Sequence, residues 1–321
     1  MVGKICGTGS YAPALVWSNN KLAEMVDTSD EWIRERTGIA RRHVISGIED
    51  AAYMAAQAAQ EALKSAGMRS KEIDLILVAT MSSEGIMPCT ACEVQGKIGA
   101  DRATCFDMNA ACTGFLYALN TAQAYLGQGI YRTAIVIGVE SLSNQLNWKD
   151  RSTCILFGDG AGAVVLKAQD SGRYAQVTHS DGTRGEVLTC SSRNQIRFEE
   201  NPKDQSTYMQ MDGGEVFKFA VSKVPEVIRE LLRQEKLSAD DIDYYILHQA
   251  NERIVRLAAK RLKLGMDKFP MNMEEYGNTS SASIPILLDE LNKKEIFHNG
   301  DQIVISGFGG GLTYGASLME W

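Results

Sequence analysis

The sequence predicts an α/β fold built as two related halves. Two observations carry that prediction. Short apolar runs that suit buried strands alternate with longer segments whose apolar residues recur at helical spacing. The order of segments also repeats. Ser70-Lys-Glu-Ile-Asp-Leu-Ile-Leu77 is echoed by Ser238-Ala-Asp-Asp-Ile-Asp-Tyr-Tyr-Ile-Leu247, at an offset of 169 from Ile73 to Ile242. Phe106-Asp-Met-Asn109 is echoed by Phe269-Pro-Met-Asn272 at an offset of 163, and Ile135-Val-Ile-Gly138 by Ile303-Val-Ile-Ser306 at 168. Buried strands look alike in every α/β protein, but a near-constant offset favours internal duplication.

In chain order, Lys4-Ile-Cys-Gly-Thr-Gly9 opens with a strand and a Gly-rich turn. Ala51–Ala66 reads as a helix ended by Gly67. Ile73–Thr80, Thr133–Glu140 and Ala161–Lys167 read as buried strands, and Phe115–Leu126 as an amphipathic helix. Ala175–Ser180 begins the second set. A long helix over Glu215–Gln234 follows, with Pro225 a candidate kink, then a strand over Tyr244–Leu247 and a helix over Glu252–Leu264. The polar stretch Gln169-Asp-Ser-Gly-Arg173 marks the boundary, giving halves of 1–170 and 171–321. Ser191–Gln205, with Asn201-Pro202, reads as a surface loop.

Composition narrows the function classes. With 45% hydrophobic residues the chain is a folded globular protein. A net charge of −7 argues against general nucleic-acid binding, and no apolar run is long enough to span a bilayer. The start, Met-Val-Gly-Lys-Ile-Cys-Gly, lacks the basic and apolar regions of a signal peptide. Seven cysteines, mostly in apolar stretches, fit a reducing cytoplasm better than a disulfide framework. Cys89-Thr-Ala-Cys92 lacks a second pair and reads as helix packing after Pro88, so no metal site is expected.

Candidate chemistry gathers at strand-to-helix junctions. Cys112 lies where a short strand gives way to a helix, and the unpaired N–H groups of a helix start favour thiolate, the nucleophilic form. His248 ends the strand Tyr244–Leu247, and Asn278 follows Gly277 at the start of another helix. Each has an ordinary reading: a buried small thiol, a core histidine, a helix cap. In the duplicated frame Cys112 and Asn278 take comparable places, and a pseudo-two-fold axis brings them beside His248, which favours a site. His43 and His298 read as surface residues, and His179 as leading into a turn. Ser306-Gly-Phe-Gly-Gly-Gly-Leu-Thr-Tyr-Gly315 lacks the ending of a phosphate loop and is read as an oxyanion-stabilising turn. Arg253, Arg256, Lys260 and Lys263 form a basic stripe, either a solvated face or a dock for an acidic partner.

These residues belong to a wider set of motifs: Gly7-Thr-Gly-Ser-Tyr11, Val26-Asp-Thr-Ser-Asp-Glu-Trp-Ile33, Arg36-Thr-Gly-Ile39, Ala110-Ala-Cys-Thr-Gly-Phe115, Phe157-Gly-Asp-Gly-Ala-Gly162, His248-Gln-Ala-Asn251, Gly277-Asn-Thr-Ser280 and Gly307-Phe-Gly-Gly-Gly311. Through them the chain resembles, from end to end, β-ketoacyl-acyl carrier protein synthase III, the initiating condensing enzyme of type II fatty-acid synthesis. The resemblance implies a thiolase-like fold, a duplicated five-layer α-β-α-β-α arrangement, working as a homodimer. It implies that Cys112 is acylated by a short acyl-coenzyme A, with the N–H groups of Cys112 and Gly310 holding the oxyanion. His248 and Asn278 would then stabilise the enolate formed as malonyl-acyl carrier protein loses CO2. No metal or prosthetic group is implied; acyl-coenzyme A is a substrate.

By the same resemblance, Trp32 and Arg151 would sandwich the adenine of coenzyme A with Thr28 and Arg36 nearby, and Phe217 and Asn251 would line the pantetheine tunnel. Arg253 would be the main contact for the acidic carrier protein, supported by Lys218, Lys260 and Arg261. Met87 would reach into the partner subunit's acyl pocket. Thr113 and Tyr314 depart from the residues usual in the family. Two other readings share these features: a related condensing enzyme of secondary metabolism with another acceptor, and a non-catalytic acyl-coenzyme A-binding protein. Primer length stays open.

Overall fold

The computed structural model describes residues 1–191 and 208–321, so the expected loop after Ser191 lies outside the described residues. Five strands form one sheet in the order Val2–Tyr11, Gly160–Gln169, Thr133–Glu140, Leu75–Ala79 and Thr104–Met108. The first two neighbour pairs are antiparallel and the other two parallel. A second sheet runs Tyr174–Ser180, Thr313–Glu320, Gln302–Gly309 and Tyr244–Leu247, antiparallel, antiparallel and then parallel. Order and direction are the same in both.

Register sharpens the duplication. Leu75 pairs with Ala134, and Tyr244 pairs with Ile303. Both members of the first pair map onto the second at one offset, 169, which is also the offset from Ile73 to Ile242. The other two sequence matches need correction. Ile303 corresponds to Ala134, not Ile135, and a one-residue slip in a strand reverses every side chain. Ala134 and Ile303 both face the central core, whereas Ile135 faces outward. Phe269–Asn272 is not a strand at all; the short helix Met273–Tyr276 stands where the repeat would put a fifth strand.

Three cores make five layers. Helices Ala51–Ala66 and Thr90–Ile98 cover the outer face of the first sheet, where Ile76, Val78, Ile135 and Ile137 point. Helices Gly114–Gly127 and Ser283–Lys293 lie between the sheets, against Leu75, Leu77, Ala134 and Val136 on one side and Ile246, Ile303 and Ile305 on the other. Helices Gly213–Glu235 and Glu252–Leu262 cover the outer face of the second sheet, on Tyr245, Leu247 and Val304. Both faces of each sheet are buried, which is why the strands read as continuous apolar runs rather than alternating ones.

Local signals hold. Asp50 caps the helix from Ala51 by accepting from Tyr53 N–H, and Gly67 ends it at φ 62°. Cys89 is the N-cap position of Thr90–Ile98 and Cys92 lies in its first turn. Pro225 is inside the helix Gly213–Glu235 and has no N–H for the Val221 carbonyl; Arg261 Nη1 supplies the donor at 2.7 Å. His43 is not a surface residue: its ring is 13% exposed, bonds to the Pro13 carbonyl at 2.6 Å and stacks on Tyr276. No helix among the described residues is long and apolar enough to cross a membrane.

One pair of positions tests the repeat. A Cβ on Gly138 would lie 2.2 Å from the Ser281 carbonyl oxygen, while on the equivalent Gly307 its nearest neighbour would be 3.7 Å away. Gly138→Ala is expected to destabilise the fold by about 1–3 kcal/mol, with Gly307→Ala near neutral, read from urea unfolding midpoints.

Candidate active site

Two matching turns build the site. A 3-10 turn over Ala111–Thr113 runs into the helix Gly114–Gly127, and another over Ser280–Ala282 runs into Ser283–Lys293. Ala111 and Ser280 sit in the left-handed region at φ 46° and 48°. Before each turn an asparagine side chain accepts from the backbone: Asn109 Oδ1 from Ala111 N–H at 3.2 Å, Asn278 Oδ1 from Ser280 N–H at 2.9 Å. The counterpart of Asn278 is thus Asn109, and that of Cys112 is Ser281, not the direct pairing of Cys112 with Asn278 read from sequence. With its oxygen held by Ser280, Asn278 is left with its amide donor for other partners.

The strand Gln302–Gly309 joins the strand that leads into His248 to the thiol turn. A Cβ on Gly309 would stand 2.8 Å from Cys112 N and 2.9 Å from Cys112 Cβ, so only glycine fits. Beside it, the Phe308 ring meets His248 edge-on with centroids 5.3 Å apart. His248 donates its backbone N–H to the Ser306 carbonyl at 2.9 Å. From the other turn, the Ser280 hydroxyl lies near enough to the Cys112 sulfur to favour its thiolate. Thiol and imidazole therefore share the end of this strand, and the Asn278–Ser283 segment reaches both through Ser280 and Ser283.

Hydrogen-bond accounting assigns the imidazole tautomer. Ser283 Oγ lies 2.7 Å from His248 Nδ1 and accepts from Gln249 N–H at 3.3 Å. Among the described residues that hydroxyl meets no other acceptor, so its proton is assigned to Nδ1 and the ring hydrogen to Nε2, which is left to donate. Burial lowers the His248 pKa to about 3, so the ring is neutral. Burial also pushes the Cys112 thiol up to about 12, with Ser280 opposing and the nearby Glu140 adding to the rise. The local helix-start argument predicts a resting thiolate; burial overrides it, and the sulfur rests as a thiol. Gly310 lies in the turn between the last two strands, where its Cβ would come within 3.4 Å of Ala111 Cβ. Among the described residues, neither the Cys112 nor the Gly310 N–H is bonded to a protein acceptor.

A second group lies where the helices Asp30–Thr37 and Glu252–Leu262 meet. The guanidinium carbons of Arg36 and Arg151 lie 4.4 and 4.9 Å from the Trp32 ring centroid. Arg151 is anchored to the Asp27 carbonyl at 2.7 Å, next to Thr28, whose hydroxyl is buried without a partner. Asn251 Nδ2 donates to the Arg36 carbonyl at 3.0 Å, its Oδ1 caps Arg253, and the Arg253 guanidinium lies over Phe217 at 5.2 Å. The supporting cations are less alike than the sequence suggests. Lys218 is exposed and paired with Glu215 at 2.7 Å, Lys260 is exposed, and Arg256 is tied to Glu252. Arg261 instead serves the proline-broken helix described above. Met87 is 86% exposed beside Ile86 at 94%, apart from this cluster.

Sequence reasoning overlooked Ser280, Ser283, Gly309 and Glu140. A strict offset of 169, applied along the chain, picks out Glu140 and Gly309 as counterparts, just as it pairs Ala79 with His248. Among the described residues no three His, Cys, Asp or Glu side chains are grouped to hold a metal.

Comparison with known proteins agrees along the whole chain. Residues 106–182 match the family model for 3-oxoacyl-[acyl-carrier-protein] synthase III, and residues 232–321 match the model for its C-terminal part. The chain is 48% identical over 320 residues to β-ketoacyl-[acyl-carrier-protein] synthase III of Clostridium acetobutylicum, covering 99% of this chain and 98% of that one. Its fold is similar to the crystal structure of 3-oxoacyl-[acyl-carrier-protein] synthase III from Aquifex aeolicus, with TM-score 0.93, 42% identity and coverage of 99% and 100%. It is also similar to the priming β-ketosynthase of the R1128 polyketide pathway, with TM-score 0.94, 34% identity and coverage of 99% and 96%.

The buried imidazole makes a direct prediction. A ring whose pKa is lowered from 6.5 to about 3 stays neutral through mild acid. The unfolded chain takes up that proton first, so the group costs stability as pH falls below 6.5. The His248 ring resonances should show no titration between pH 8 and 5 by NMR; a midpoint near 6.5 would contradict the burial argument.

Proposed function

The chain belongs to the 3-oxoacyl-[acyl-carrier-protein] synthase III family, and on that premise we propose that it joins a short acyl group from coenzyme A to malonyl-acyl carrier protein, releasing coenzyme A and CO2. What supports this reading is that Cys112 packs on Gly309 and the His248 ring on Phe308 at one strand end, against the turn that Asn278 holds through Ser280.

In the first stage the Cys112 sulfur attacks the acyl thioester. The unshared N–H groups of Cys112 and Gly310 receive the negative charge that develops on the thioester oxygen. The sulfur keeps the acyl group and coenzyme A leaves as its thiolate. In the second stage the malonyl thioester oxygen accepts from His248 Nε2–H and Asn278 Nδ2–H. Loss of CO2 leaves an enolate whose charge falls on that oxygen, and its carbon attacks the acyl-sulfur bond. A neutral ring suits this work, since an imidazole with hydrogen already on Nε2 donates at any pH above its low pKa. No step calls on a metal or a prosthetic group.

The same reading gives Trp32, Arg36, Arg151 and Thr28 to the nucleotide end of coenzyme A. Arg151 lies over Trp32 in the free chain, so a bound adenine would have to lift it and take its place against the indole. Asn251 and Phe217 would follow the pantetheine arm inward. Arg253, held over Phe217 at the mouth, would meet an acidic carrier protein with Lys218 and Lys260 alongside, whereas Arg261 is committed to Val221. The exposed pair Ile86 and Met87 supports a homodimer in which Met87 enters the partner subunit's acyl pocket.

Incubation with acetyl-coenzyme A followed by intact mass measurement should give one acetyl adduct that Cys112→Ser abolishes. The absence of any adduct would favour a non-catalytic binding protein. Asn278→Ala should still be acylated within a few-fold of the normal rate, but condense about 10²-fold more slowly; equal loss of both steps would refute the division of labour.

Arg253→Glu should raise the KM for malonyl-acyl carrier protein at least about tenfold while leaving acyl transfer from coenzyme A nearly unchanged. Steady-state kinetics with the carrier protein varied checks it.

A further inference from the structure

We propose that Glu140 is the proton acceptor for the Cys112 thiol, reached through the Ser280 hydroxyl, an inference that rests on Cys112 being the nucleophile. The need for an acceptor comes from the geometry of the imidazole. His248 Nδ1 is taken by Ser283, and Nε2 carries the hydrogen that faces substrate, so the ring has no lone pair to offer the sulfur. Yet the buried sulfur rests protonated and must lose its proton as it attacks.

Glu140 ends the strand Thr133–Glu140 and is fully buried. Its Oε1 accepts from Ser280 Oγ at 3.1 Å and Ser281 Oγ at 2.8 Å. Its Oε2 accepts from Ser82 Oγ at 2.5 Å, Met81 N–H at 3.2 Å and Thr80 Oγ1 at 3.4 Å. Among the described residues it makes no ion pair. Burial with no cation beside it raises the Glu140 pKa, and the hydroxyl and N–H donors on its oxygens oppose that rise only in part. Ser280 spans the gap: its hydroxyl acts on the sulfur on one side and donates to the carboxylate on the other at 3.1 Å. The repeat explains the arrangement. Position 140 corresponds to position 309, so each strand end abuts a turn at the start of a central helix. Gly309 has no side chain, and the Cys112 turn packs directly on its backbone. Glu140 has one, and it reaches across the pseudo-two-fold axis by way of Ser280.

The proton balance closes over one cycle. As the sulfur attacks, its S–H proton passes to Ser280 Oγ and the Ser280 O–H proton passes to Glu140 Oε1. The C–S bond to coenzyme A breaks, and the released thiolate takes a proton from water. Glu140 stays protonated while Cys112 carries the acyl group. When the enolate carbon attacks, the acyl-sulfur bond breaks, and the Cys112 thiolate recovers its proton from Glu140 through Ser280. Among the described residues Glu140 is the charged group that acts on this sulfur.

The test is site-resolved alkylation of Cys112 by iodoacetamide at pH 7, read by peptide mass spectrometry, in the unaltered protein, Glu140→Gln and Ser280→Ala, each checked by thermal melting. An acceptor role predicts alkylation about 10²-fold slower in both variants. Unchanged rates would overturn it. So would faster alkylation in Glu140→Gln, the outcome for a carboxylate that merely repels a thiolate, since removing its charge lowers the thiol pKa. Should Glu140→Gln fail to fold, Ser280→Ala decides, because it keeps the carboxylate and cuts the path. Slowed alkylation together with no acetyl adduct on the unaltered protein would retain the relay and reject the condensation reading.

Discussion

The contact between the turns Ala111–Thr113 and Ser280–Ala282 governs the rest of the structure. Each turn opens a central helix, and the two helices share the core between the sheets. The turns meet near the axis that relates the halves, held by Ser281 Oγ on the Ala79 carbonyl at 2.9 Å and by the serine pair on Glu140. Because Cys112 lies in one turn and Asn278 fixes the other, this single contact sets the geometry of the site. Left-handed residues at Ala111 and Ser280 cost backbone energy that such over-determined surroundings offset.

Function arises where the duplicated halves differ. Ala79 ends its strand with a methyl group, while the matching position in the other half is His248. Gly309 lets Cys112 pack against bare backbone, while the matching Glu140 carries a carboxylate. Cys112 itself matches Ser281, a structural hydroxyl. The shared backbone brings equivalent positions together about one axis, and unequal side chains put a thiol and an imidazole around one strand end. The outer helices then supply the approach, with Arg36, Asn251 and Arg253 knitted together where the two halves adjoin.

Burial is the dominant electrostatic influence. It favours the uncharged form of every ionisable group it encloses, which leaves His248 as a neutral donor and Cys112 as a thiol. The first effect serves enolate stabilisation directly. The second opposes nucleophilic attack, and a proton acceptor close to the sulfur answers it.

Much was legible in the sequence because it depends on local pattern. Apolar runs marked the buried strands, Asp50 and Gly67 bounded a helix, and the echo of Ile73-Asp74 in Ile242-Asp243 announced the duplication. The same local view singled out Cys112, His248 and Asn278, since chemically distinctive residues at strand-to-helix junctions stand out in any α/β chain. Register, protonation and partnership were decided only by the tertiary structure. The strand pairing moved Ile303 from Ile135 to Ala134, the turn geometry gave Asn278 its true counterpart in Asn109, and Arg261 proved to be bound to a carbonyl freed by Pro225. Glu140 and Ser280 were invisible as partners of Cys112, because Glu140 and Ser280 lie in different halves of the chain and only the fold closes that distance to a hydrogen bond.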